Sequence, residues 1–315
     1  MAIWTAHDIP SQRGRTAVVT GTGGLGLQDA LALARAGADV IVAGRSQLKG
    51  CDAVAQIRRE APGAQVRFEE LDLASLDSIA AFARRLTDTL GALDILINNA
   101  AVMAPPRRGL TADGFELQFG TNYLGHFALT ARLLALLRKG DRPRVVSLSS
   151  VAARSGAIRF DDLQCTRDYK PMAAYAQSKL ACLMFALELQ RRSEAGQWGI
   201  RSIAAHPGIA RTDLLPNGAG RWSGAAMARS LLWFLFQPAA QGALPTLFAA
   251  TAAEARGGAY YGPDKLGETR GHPAPARVPA AALDAALAAS LWEASARLAD
   301  VAWMPDRNAT AVQTA

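Results

Sequence analysis

Cysteine and histidine are scarce in this chain of 315 residues: three of the first (Cys51, Cys165, Cys182) and four of the second. They form no Cys-x-x-Cys and no His-x-x-x-His pair, which argues against a metal site or a disulfide scaffold and favours a reducing, cytoplasmic setting. Basic blocks are missing too. The net charge is +7 and the pI near 9.7, yet the cations stand singly or in pairs such as Arg58-Arg59 and Arg107-Arg108, without interleaved aromatics. That distribution argues against nucleic acid as a partner and reads as solvated surface that helps attract an anionic cofactor. The N-terminal residues contain no apolar h-region, so no signal peptide is expected. One long uncharged run exists, Ser230 to Ala253, but Gln237-Pro238, Gln241-Gly242 and Pro245 interrupt it. Two short packed helices are expected there, with an interfacial patch as the alternative, and no membrane span. Internal repeats, low-complexity tracts and Pro/Ser linkers are absent, so one domain is expected.

Half of the residues are hydrophobic and 19% are charged, the balance of a soluble globular protein. Short β-branched runs recur at Thr16–Thr20, Asp39–Ala43, Val66–Phe68, Ile95–Ile97, Val145–Leu148 and Ile200–Ala204. Helical stretches separate them, beginning with Gly26–Ala36, which Gly37 stops. Strands and helices that take turns at this spacing imply a parallel sheet covered on both faces by right-handed crossovers, an α/β fold. From about Gly208 onward the pattern is less regular.

Between the first strand and the first helix lies Gly21-Thr22-Gly23-Gly24-Leu25-Gly26. Glycines at that turn let the backbone approach a pyrophosphate, which rests on the helix N-terminus. Arg45 ends the second strand, where an acidic residue would hold a ribose 2′-hydroxyl; a guanidinium suits a 2′-phosphate instead, hence NADP rather than NAD. Asp72-Leu73 follows the third strand. Asp72 is read either as an adenine contact or as part of a helix cap near Ser75.

Tyr175-Ala-Gln-Ser-Lys179 falls within Met172–Gln190, a run of helix formers without Pro or Gly. Residues i and i+4 share a helix face, so the phenol and the ammonium point the same way. The reference pKa of tyrosine is about 10, and a cation beside it favours the phenolate. The expectation is therefore a tyrosine tuned downward for acid–base work.

These motifs come in order and well spaced with Asn98-Asn99-Ala100, Thr121-Asn122-Tyr-Leu-Gly-His-Phe127, Ser149-Ser150, Phe160-Asp-Asp-Leu163 and His206-Pro207-Gly208 with Thr212. With them the chain resembles the short-chain dehydrogenase/reductase family over Thr16 to Thr212, in particular its retinol-dehydrogenase-like branch. The resemblance implies a single doubly wound parallel sheet (Rossmann fold) and a nicotinamide cofactor, NADP(H) with NAD as the alternative. It also implies a catalytic tetrad of Asn122, Ser150, Tyr175 and Lys179. Tyr175 would exchange the proton with an alcohol or alkoxide, Lys179 would bond the nicotinamide ribose, and Ser150 would hold the carbonyl oxygen, with Ser149 as its competitor. Asn122 would interrupt its own helix and support a water relay. Cofactor contacts are implied at Gly21 to Gly26, Arg45, Asp72, Leu73, Asn99, Ala100, Ala101, Tyr175, Lys179, Pro207, Gly208, Ile209 and Thr212. Residues 15–207 would form the core, 208–255 a substrate lid and helices, and 256–315 a C-terminal extension. The lid's aromatics (Trp222, Trp233, Phe234, Phe236) suit a hydrophobic or aromatic small-molecule substrate, or alternatively a core helix or subunit contact; a homo-oligomer, dimer or tetramer, is the family-level expectation.

Two departures stand out. The family's turn reads Thr-Gly-x-x-x-Gly-x-Gly, and Thr20–Gly26 is one residue shorter; the family's Asn-Asn-Ala-Gly ends here in Ala101. Both bear on the fit of the cofactor. The expected activity is NADP-dependent carbonyl reduction or alcohol oxidation. Its rivals are reduction of a carbon–carbon double bond, a cofactor-binding sensor without turnover, and an extended-type epimerase or dehydratase.

Overall fold

A computed structural model describes residues 3–210 and 237–303. The strands are β1 (Thr16–Thr20), β2 (Asp39–Gly44), β3 (Val66–Glu70), β4 (Ile95–Asn98), β5 (Arg144–Leu148), β6 (Arg201–Ala205), β7 (Tyr260–Lys265) and β8 (Arg270–Pro275). They form one eight-stranded sheet in the order β3-β2-β1-β4-β5-β6-β7-β8. All neighbours run parallel except the β7–β8 pair. The order reverses between β1 and β4, and a crevice opens at such a point beyond the carboxyl ends of the strands.

Helices cover both faces. Against one lie α1 (Gly24–Arg35), α2 (Gln47–Glu60) and α6 (Ala239–Thr251); against the other, α3 (Leu76–Thr89), α4 (Gly125–Leu137), α5 (Pro171–Ala195) and α7 (Ala285–Leu298). The central strands β1, β4 and β5 are almost wholly buried, which is why they are written as apolar runs instead of alternating ones. Helix starts are set by local chemistry. Ser46 and Ser75 accept from the amides of Lys49 and Ser78 to cap α2 and α3, and Pro171 opens α5. Gly37, at φ +94°, turns the chain out of α1 into β2.

The expected strands and first helix are present, most of them extended by one or two residues. Two readings change. The C-terminal extension is not separate from the sheet: β7 pairs with β6, and β8 closes that edge as an antiparallel hairpin partner. Glycines and prolines at 262, 263, 271, 273 and 275 made this stretch read as loop. Nor do Gly242 and Pro245 split the uncharged run. They lie inside α6, which is buried between α1 and the sheet, so packing outweighs the backbone bond that Pro245 cannot donate. The rest of that run, the expected lid and Thr212 lie outside the described residues.

Candidate active site

A cleft of about 760 Å³ opens at the carboxyl edge of the sheet, at the β1/β4 reversal. Its wall at one end is the turn Gly21 to Leu25 with Leu27. Arg45, Lys49, Asp52 and Gln56 stand beside it, and Asn99 to Met103, Pro105, Leu117, Leu148, Ser149, Tyr175, Lys179 and Pro207 complete the other end.

The turn fits a pyrophosphate. Gly23 caps α1 without a side-chain hydrogen bond, and a Cβ added there would meet nothing within 4 Å, so methyl-sized space lies over free helix-terminal amides. Gly21 has φ +105°, and a Cβ on it would lie 2.7 Å from Asn99 Nδ2. A Cβ on Gly26 would lie 2.6 Å from the same atom; that glycine is not in the cleft wall but lets α1 approach β4. The shortened turn therefore stays open. Ala101 also lines the cleft and does not have positive φ, so its methyl group brings no backbone strain.

The loop after β4 is held from below. Thr20 Oγ1 accepts from the amides of Asn99 (2.9 Å) and Ala100 (3.0 Å), while Asn99 Nδ2 donates to the Thr20 carbonyl at 2.6 Å. Farther on, Asn122 Oδ1 accepts from the Val102 amide (2.7 Å), and its Nδ2 donates to the Val102 carbonyl (2.9 Å) and to Ser178 Oγ (3.0 Å). Asn122 sits in a π-helical turn, Phe119–Leu124, that runs into α4. Buried Glu116 caps that turn, accepting from the amides of Gln118 and Phe119.

Tyr175 and Lys179 share the α5 face toward the cleft, with the ammonium 5.9 Å from the ring centroid. The Tyr175 hydroxyl interacts with the Ser150 side chain, which is not itself part of the wall. Burial nevertheless pushes the phenol up to about 12, and the Ser150 bond only partly offsets this. The downward tuning expected from Lys179 is not present in the protein alone. The lysine is itself buried, which lowers its pKa, and its Nζ donates to the Leu148 carbonyl at 2.9 Å. A positive charge brought by a bound cofactor would have to supply the remaining pull.

The remaining expected residues are placed as follows. Asp72 lies outside the cleft wall; its Oδ1 accepts from the Ala74 amide in the turn before α3, the capping alternative. Leu73 is buried in the core. Gly208, at φ +64°, and Ile209 follow Pro207 along the β8 hairpin, where the Ile209 amide donates to the Thr269 carbonyl at 2.8 Å. The Asn122 carbonyl receives His126 Nδ1 at 2.9 Å and Cys182 Sγ at 3.2 Å. Asn122 thus links the loop after β4 to α4 and α5.

Two participants were not foreseen. Lys49, in the first turn of α2, lines the cleft with Arg45, which stands between β2 and the Ser46 cap. Tyr260 on β7 donates its hydroxyl to the Ser150 carbonyl at 3.4 Å, beside Ser149, whose Oγ donates to the Lys179 carbonyl at 2.8 Å. With β7 unrecognised, nothing marked it. His206 is fully buried and neutral: burial lowers its pKa, Nδ1 accepts from the Gly208 amide and Nε2–H donates to Glu268. Arg154 pairs with the same carboxylate at 2.5 Å. No cluster suited to a metal ion occurs among the described residues.

Comparison with known proteins agrees with this geometry. The short chain dehydrogenase family profile matches residues 15–219. Retinol dehydrogenase 13 of Mus musculus is 42% identical over 298 residues, 92% of this chain and 85% of that protein. Polyprenol dehydrogenase of Mus musculus is 42% identical over 254 residues, 79% of this chain and 75% of its own length. Among solved structures, an uncharacterized protein from Mycobacterium paratuberculosis superposes with a TM-score of 0.80 at 40% identity, covering 96% of this chain and all 100% of the other.

Proposed function

The chain belongs to the short chain dehydrogenase family, and on that premise we propose that it is an NADP(H)-preferring enzyme interconverting a carbonyl and an alcohol on a long apolar substrate. Hydride transfer and a nicotinamide cofactor come with the family. The observation that carries the finer reading is one cleft with two chemically distinct ends. Arg45 and Lys49 stand at one, with Asp52 as the carboxylate beside them among the described residues; Tyr175, bonded to Ser150, stands with Lys179 at the other.

When bound, the dinucleotide supplies the hydride to the carbonyl carbon. Gly21 to Leu25 would hold its pyrophosphate, and Arg45 and Lys49 would hold a 2′-phosphate that NAD lacks. In the reducing direction Tyr175 gives its hydroxyl proton to the carbonyl oxygen. Ser150 bonds that oxygen as charge develops on it, and Lys179 then favours the phenolate left behind. In the oxidising direction the same groups return the proton. Met103, Pro105 and Leu117 give the reacting end an apolar wall. The names of the relatives point the same way, since retinol and polyprenol are both extended, apolar primary alcohols.

The test is a fluorescence titration with NADPH and NADH side by side, followed by product analysis with a long-chain aldehyde. NADPH should bind more tightly, and Arg45→Asp should weaken it about ten- to hundredfold while leaving NADH nearly unchanged. An equal loss for both would refute the phosphate role. The product should be the alcohol; a saturated carbonyl from an unsaturated aldehyde would move the reading to double-bond reduction.

A further inference from the structure

His126 takes no part in the steps above, yet its ring joins Thr20 at the end of β1 to the Asn122 carbonyl. It is 3% exposed and lies in the first turn of α4. Nδ1 is 2.9 Å from the Asn122 carbonyl, and Nε2 is 2.9 Å from Thr20 Oγ1. A carbonyl only accepts, so the ring proton is on Nδ1. Burial pushes the pKa down to about 4, with the nearby Lys179 charge adding to the effect, so Nε2 is a lone pair. Thr20 must therefore donate its one hydroxyl proton to His126. That turns both of its oxygen lone pairs toward the amides of Asn99 and Ala100. The Ile97 carbonyl, 3.2 Å from the same hydroxyl, is left as the longer contact.

The line continues at the other end. The Asn122 carbonyl also receives the Cys182 thiol, three residues beyond Lys179 on α5, and the Asn122 side chain grips Val102. Every donor and acceptor along Asn99/Ala100–Thr20–His126–Asn122–Cys182 is matched in one sense only. A line of this kind has a single low-energy arrangement.

We propose that His126 is a positioning residue: through Thr20 and Asn122 it fixes the loop that faces the nicotinamide relative to the helix that carries Tyr175 and Lys179. The proposal rests on the reading of the site as a hydride-transfer centre. Its consequence is a division of labour, with affinity residing in the phosphate end of the cleft and His126 governing the reacting end alone.

The experiment compares His126→Phe, His126→Asn and Thr20→Val with the wild-type enzyme in steady-state reduction of a long-chain aldehyde by NADPH, alongside NADPH binding. His126→Phe should lower kcat on the order of 10- to 100-fold, as expected for a misplacement of about 1 Å. The NADPH dissociation constant should stay within about threefold, because the phosphate contacts are untouched. His126→Asn, whose amide replaces Nδ1–H toward Asn122, should recover part of the loss. Thr20→Val, which keeps the histidine, should reproduce the split and serves if the phenylalanine variant does not fold. The double variant should lose no more than the worse single one. A wild-type kcat in His126→Phe, or equal losses of kcat and affinity that follow the folded fraction, would overturn the proposal. Should the wild type turn over no aldehyde, the functional reading fails separately. Deuterium uptake at residues 99–102 and 119–124 then decides: faster exchange in His126→Phe supports the clasp, and unchanged exchange overturns it.

Discussion

Tyr175 holds the only proton the proposed reaction moves, and its environment opposes giving up that proton in the absence of cofactor. Burial holds it near 12, so in the oxidising direction the Lys179 ammonium and the cationic ring of an oxidised cofactor would have to bring it into range. Tyr175→Phe should abolish turnover with the NADPH dissociation constant nearly unchanged; residual activity at the wild-type level would remove the tyrosine from its role. A second residue matters for stability instead. Asp29 of α1 is fully buried, and neither carboxylate oxygen has a hydrogen-bond partner among the described residues. Desolvation raises its pKa well above 3.8. The folded chain then binds this proton more tightly than the unfolded one. Its contribution is fully present below the unfolded value and is lost as the pH rises toward and through the folded one. Asp29→Asn should therefore flatten the decline in denaturant midpoint between acidic and neutral pH, by about 1.4 kcal/mol for each unit by which the native pKa is raised. Parallel pH curves for the two proteins would show that the buried carboxyl is not the cause.

At the scale of elements, α7 is the piece whose removal would be felt farthest from its own position. Trp292 stacks on Phe185 at 5.8 Å and meets Phe127 edge-on at 5.0 Å, while Trp303 packs against Trp292 at 4.3 Å and Trp198 at 5.9 Å. Phe127 belongs to the helix of His126, and Phe185 to that of Lys179. The cluster thus presses α4 and α5 together just below the catalytic groups. Trp292→Ala should cost about 3–5 kcal/mol in urea unfolding, the range for truncating a buried aromatic. A loss under about 1 kcal/mol would mean that α7 merely covers the core. The β7–β8 hairpin is the other such element, since it delivers Tyr260 to the Ser150 carbonyl and Glu268 to Arg154 and His206.

For the molecule as a whole, cofactor choice becomes a stability measurement. A ligand that binds only the native state stabilises it by about 2.7 kcal/mol at a hundred times its dissociation constant. NADPH should therefore raise Tm by several degrees, and an equal concentration of NADH by less. Arg45→Asp should bring the two shifts together. Equal shifts in the unmutated protein would remove the phosphate preference. No helix among the described residues is long and apolar enough to cross a membrane.

Local rules settled a good deal in advance. Buried parallel strands need unbroken β-branched runs, and helix starts and stops need serines, prolines and glycines, so β1 to β6 and the order of the main helices were legible in the chain itself. The same holds for the glycine turn and for Tyr175 with Lys179, because an i, i+4 spacing on a helix specifies a shared face. What depended on distant packing was not legible. Nothing local says that a Gly- and Pro-rich stretch will find a free sheet edge beside β6, or that Pro245 will be carried inside α6. Thr20 and His126, 106 residues apart, are each unremarkable in sequence; only the meeting of β1 with α4 makes them one hydrogen-bonded unit. The direction of the Tyr175 pKa was set in the same way. Spacing revealed the cation beside it, but the depth of burial, which raises the phenol in the protein alone, is a property of the folded core.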